Sequence, residues 1–199
     1  MAFRFTIGKK IGAGFGVLLF FIVIVFYTTY TTLTDSTEIN DEITNVNNPS
    51  VASLEELKLL IVRSKMLISN WAYIQSQSDH PDKKKLSRLI DRDYPHLKKK
   101  IEGLSGHWSA SDRTKINAVF TKLIELFAMN QEVIEVLPDF DSYEDPQNIF
   151  VAKYYIGDDG EIFIKTSDIL FELDDLIANH KFQTGEITSE MQGSFNSLK

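Results

Sequence analysis

Residues 9–16, KKIGAGFG, set three glycines at alternate positions, Gly12, Gly14 and Gly16, behind Lys9 and Lys10. Glycine-rich loops of this kind bind phosphates by turning backbone N–H groups and a helix N-terminus toward the anion, so nucleotide binding is the first chemistry to consider. The context excludes it. A dinucleotide fingerprint needs a strand before the glycines, a helix after them and an acidic residue about 20 positions on. Only a charged, polar decapeptide precedes them here, and the P-loop spacing G-x-x-x-x-G-K-[ST] is absent, with the lysines on the wrong side.

Other candidate chemistry is sparse. His80, His96, His107 and His180 show neither H-E-x-x-H nor His-x₃-His spacing, so no metal site is expected and they read as solvated or loop side chains. Glu172, Asp174 and Asp175 read as a wet helix face, as do Lys83, Lys84 and Lys85 and the lysines at 98–100. No serine, histidine and acid share a nucleophile-elbow context, and there is no cysteine to serve as thiol nucleophile, zinc ligand or haem attachment. Hence no catalytic residue and no cofactor are expected, and the chain does not read as an enzyme.

One set of side chains stands apart. In residues 50–78, Leu59, Arg63, Met66, Asn70, Tyr73 and Gln77 recur at steps of three and four, carrying less charge than a solvated helix face normally does. A partner helix, or a ligand between subunits, would account for this, with Arg63 able to grip an anionic group through two parallel hydrogen bonds. The competing reading is a broad core face in which Met66 and Tyr73 lie partly buried. Arg63, Met66, Asn70 and Tyr73 are thus the candidate ligand or dimer-interface residues.

These side chains need a scaffold, and hydrophobic periodicity supplies one. No charged residue falls between residues 11 and 34, and the centre of that run, VLLFFIVIVF, is unbroken large apolar side chain. About 20 such residues at 1.5 Å each cover about 30 Å, the thickness of a bilayer's hydrocarbon core. Residues 11–33 are therefore expected to cross a membrane. At helical spacing the glycines become Gly8, Gly12 and Gly16, two overlapping G-x-x-x-G steps on one face; they are either a packing face for a second helix or the glycine common in any membrane helix. A cleaved signal peptide is the competing account, but the run is longer than its usual apolar region and ends in FYTTYTTLT without a small-residue cleavage site.

Arg4, Lys9 and Lys10 precede the span and no acid appears before Asp35, so residues 1–10 are expected in the cytoplasm and everything after residue 34 outside the inner membrane. The formal charge of −7 divides into +3 for residues 1–34 and −10 for residues 35–199. Nucleic acid is not expected as a partner, because phosphate binding needs a basic face.

The exported part, 34–199, reads as helix nearly throughout. Leu54, Leu57, Ile61, Ser64, Ile68, Trp71 and Gln75 form a heptad seam with two polar members. Asn47, Asn48 and Pro49 either start that helix or mark a kink in one continuing from the membrane. A second helix is expected over 82–104, locally distorted at Pro95, and a third over 112–137, capped by Ser111 or Asp112 and burying Ile116, Val119, Phe120, Leu123, Phe127, Asn130, Val133 and Leu137. After a less definite passage over 147–161, a last helix runs over 161–199 through Ile169, Leu173, Leu176, His180 and Ile187. The first three are near-equal in length, which suits side-by-side packing; the surplus of the fourth can pair with residues 34–48 as a stem. Such a stem implies a second membrane helix after residue 199.

With these features together, FTIGKKIGAGFGVLLF before a span, then NPSVASLEELKLLIVRSKMLISNW opening a helical ectodomain, the chain resembles the input region of bacterial methyl-accepting chemotaxis receptors and sensor histidine kinases. The resemblance implies an all-α fold, an N-terminal transmembrane helix followed by an antiparallel up-down four-helix bundle. It further implies a homodimer that senses a small molecule outside the inner membrane and signals inward. The chain would then be a fragment lacking the second membrane helix and output domain. The alternative is a membrane-anchored helical protein with a structural or scaffolding role.

Overall fold

The computed structural model describes residues 7–196, so Arg4 and the residues beyond 196 lie outside the described residues. Within that range the chain is all-helical, with no strand among the described residues. The α-helices are α1 (Ile7–Glu42), α2 (Asn48–Tyr73), α3 (Pro81–Arg88), α4 (Tyr94–Ser105), α5 (Ala110–Val136), α6 (Pro146–Ile156) and α7 (Glu161–Asn196). Two π-helical segments, Ile43–Asn47 and Leu89–Asp93, bridge α1 to α2 and α3 to α4.

Both π segments have the same cause. Pro49 and Pro95 follow them within the first two positions of α2 and α4. Proline cannot donate to the carbonyl four residues back, and its ring crowds that carbonyl. In each case that carbonyl, of Asn45 or Asp91, lies inside the π segment, whose wider turn accommodates it. Asn47 is helical and makes no side-chain cap, so the helix does not start at 47–49 but continues from α1.

The chain divides into two compact units, one of Val46–Gln183 and one of the residues up to Asn45 with those from Thr184. In the second of these, α1 carries a window of mean hydropathy 2.4, none of it buried, so this helix is long and apolar enough to cross a membrane. In its polar tail the threonine hydroxyls are satisfied locally by donating back along the turn, Thr28 to the Val25 carbonyl and Thr34 to that of Tyr30, both at 3.0 Å.

In the unit Val46–Gln183, one core gathers Leu54, Leu57, Ile61 and Ile68 of α2 with Leu86, Leu97 and Ile101 of α3 and α4, the α5 face named above, and Ile169, Leu173 and Leu176 of α7. The polar members of the seams meet inside it: the Asn130 amide donates to Ser64 Oγ at 3.0 Å. Between α2 and the α3–α4 pair, Glu56 faces Lys100 and Asn70 faces Asp82, and Ser50 faces Trp108 of the turn that follows α4. Between α2 and α7, Glu55 pairs with Lys181, Lys58 with Asp174, and the Lys65 ammonium lies over the Phe163 ring. Between α5 and α7, Lys115 meets Asp175, Lys122 meets Glu172, and Glu125 meets Lys165. Asp174 and Asp175 are wet, as expected, whereas Glu172 is half-buried, and these acids are the anionic partners in three of the pairs; exposed pairs of this sort contribute about 0–1 kcal/mol each and mainly set register.

Several expectations need correction. Helix α2 ends at Tyr73, so Gln75 and Gln77 lie beyond it; Gln75 is exposed, its amide 3.3 Å from the Phe140 carbonyl. The cap of α5 is Ser109, which accepts from the Asp112 N–H at 3.0 Å while its hydroxyl donates to the Asp112 carboxylate at 2.8 Å. Helix α6 fills part of the passage left indefinite, with Asp145 accepting from the Gln147 N–H at 2.8 Å. Lys83 does not belong to a solvated face: it is 2 % exposed, donating to the carbonyls of Ser76, Leu137 and Pro138 at 3.1, 3.1 and 3.4 Å beside the Trp71 ring. His180 likewise is buried, its ring 4.5 Å from that of Trp108, whose indole N–H donates to Ser50 Oγ.

Candidate functional site

Helix α2 has two working faces. Its seam is spent on the core, and the opposite side turns outward: Leu59, Met66 and Tyr73 are 49, 54 and 60 % exposed, with Val62 beside them. Met66 and Tyr73 are therefore not part of a broad core face. Of the four candidate residues, Arg63 and Met66 lie together on this side and Tyr73 is the last residue of the helix. Asn70 is half-buried and turned to a structural task, its amide donating to Asp82 Oδ2 at 3.0 Å. That bond, after the stronger one from Lys85, holds the Asp82 carboxyl below the usual carboxylate pKa.

Arg63 stands where two grooves meet. One, of about 340 Å³, runs between Glu56, Leu59 and Leu60 of α2 and Arg92, His96 and Leu97 opposite. The other, of about 300 Å³, runs between Met66 and Leu67 of α2 and Lys85 and Arg88. Arg63, Leu89 and Asp93 line both. Asp93 accepts from Arg92 at 3.0 Å and lies 3.8 Å from Arg88, while Glu56 is engaged by Lys100 at 3.5 Å. Arg63 forms no ion pair among the described residues.

Arg88, Arg92 and Asp93 carry no motif in the sequence, and His96 reads there only as a solvated or loop side chain. A signal exists, since Arg88 and Arg92 are four apart and share a helix face. The π segment conceals where that face points, because one extra residue turns everything after it by about 100° relative to an unbroken α-helix.

Gly8, Gly12 and Gly16 are exposed on α1, and a Cβ added at any of them would meet nothing within 4 Å. The face is open within one chain.

Comparison of the chain with protein-family models, curated proteins and solved structures returns no match. The functional reading rests on the residues themselves.

Proposed function

We propose that this chain is the extracytoplasmic sensory input module of a bacterial transmembrane receptor of the chemoreceptor or sensor-kinase type. In this reading residues 11–33 anchor it in the inner membrane with the N-terminus cytoplasmic, and α2, α3 with α4, α5 and α7 form an antiparallel up-down four-helix bundle. The register of the pairs supports that arrangement: partners of rising number on α2 fall in number along the α3–α4 pair and along α7, and rise toward the end of α5, where Ser64 meets Asn130 and the Trp71 indole donates to the Leu137 carbonyl. The module works as a homodimer joined along the outer face of α2, takes a small-molecule ligand and performs no reaction.

The carrying observation is that one helical stretch, Ile7–Tyr73, bears both the apolar span and the uncovered face of Leu59, Met66 and Tyr73. A contact made on that face biases the same element that enters the membrane, which is what a signalling input requires. Because the chain has no cysteine, single-cysteine variants report contacts cleanly. In cell membranes, Met66→Cys is expected to form a disulfide-linked dimer readily and Ile124→Cys on α5 slowly. Alkaline phosphatase fused after residue 150 is expected to be active. An inactive fusion, or equal cross-linking at both positions, defeats the reading.

A further inference from the structure

We propose that the two grooves meeting at Arg63 form one binding site, complete within a single chain, for a small organic carboxylate with an apolar body. This deepens the receptor reading, on which it depends for the ligand's role and not for its binding. Residues 35–199 carry a net charge of −10, yet Arg63, Lys85, Arg88 and Arg92 all line these grooves against two acids, Glu56 and Asp93. Both acids are already engaged, Asp93 by two arginines and Glu56 by Lys100. Arg63 is left with a free fork between them, and planar guanidinium groups match a carboxylate through two parallel hydrogen bonds.

The rest of the lining sets the ligand class. The buried Leu60, Leu67, Leu89 and Leu97 supply apolar walls to either side of Arg63, beneath the exposed rim of Leu59 and Met66 that the proposed dimer uses. An inorganic anion needs polar partners all round, whereas an amphiphilic carboxylate puts its charge on Arg63 and Arg92 and its body on the leucines. Each groove is at the small end of the range for ligand pockets, about 300–1,000 Å³, so a ligand of benzoate or hexanoate size fits. The π segment is what builds the wall, since it carries Leu89, Arg92 and Asp93 together.

The test titrates the full chain in nanodiscs with 4-fluorobenzoate, followed by fluorine NMR, with hexanoate and sulfate as competitors. Saturable binding is expected, displaced by hexanoate and not by sulfate. Arg63→Gln and Arg92→Gln should each weaken it at least about tenfold, since each removes a charge-assisted hydrogen bond. Arg113→Gln, on the exposed side of α5, should leave it unchanged. Arg63 has no partner to lose, so its variant folds. Absent binding, equal displacement by sulfate, or indifference to both variants overturns the site. Failure here with Met66→Cys still cross-linking leaves the receptor reading intact, whereas binding without cross-linking removes the receptor and keeps the site.

Discussion

His180 and Lys83 are basic side chains that the fold withdraws from water, and burial pushes the pKa of each down, against the opposing charges of Asp112 and Asp139 respectively. For His180 this has a consequence in the accessible pH range. A group whose folded pKa is depressed below its unfolded value near 6.5 binds its proton more readily in the unfolded chain, so acidification favours unfolding. Stability should hold above pH about 6.5 and fall as pH drops through that value to the lower folded one, then level off. His180→Gln should flatten the dependence, measured as the thermal midpoint against pH; an unchanged slope would place its origin elsewhere. The Asp112 carboxylate, itself 1 % exposed and bonded by Ser109 and Asn179, is the charge that faces the imidazole and limits the effect.

Among the elements, α6 and the turn before α7 show how sequence pattern and packing divide the work. The turn expected at IGDDGE is present, the Gly160 N–H donating to the Gly157 carbonyl at 2.9 Å. Gly160 is buried there with the Tyr155 backbone carbonyl pressed against it, in the space a Cβ would occupy. Gly160→Ala should therefore force a backbone shift and cost about 1–3 kcal/mol, read from chemical denaturation of the full chain in detergent. Gly157→Ala, where the nearest atom is 3.0 Å away, should cost less; the reverse order would contradict this account. Helix α6 escaped the periodicity because it buries only Ala152 and Ile156, too few positions to make a stripe.

For the whole molecule, the decisive surfaces are those one chain leaves uncovered. Leu18, Phe21, Val25 and Phe26 of α1 are all more than half exposed, and Gly8, Gly12 and Gly16 on the same helix are exposed too. If the glycines are a close-packing face in lipid, Gly12→Leu with Gly16→Leu should weaken self-association of the isolated span in a membrane reporter assay. No change would leave them as the glycine usual in such helices. This outcome is independent of the α2 face, where the proposed dimer would gain its effective concentration from any anchor that holds two copies in one membrane.

The sequence alone determined the helical class, the apolar segment and most of the core, because these depend on local composition and on a period of 3.6 residues that any helix must obey. The α5 face from Ile116 to Leu137 and the seam from Leu54 to Trp71 were legible for that reason. Only the tertiary structure decided which polar residues are shared inside: that Ser64 meets Asn130, that Lys83 is enclosed by three carbonyls, and that His180 packs tilted against Trp108. It also decided the groove at Arg63. Nothing local distinguishes a buried lysine from a solvated one, or an arginine facing another helix from one facing water. Those outcomes depend on the phase between packed helices, which within Val46–Gln183 the π segment before Pro95 resets.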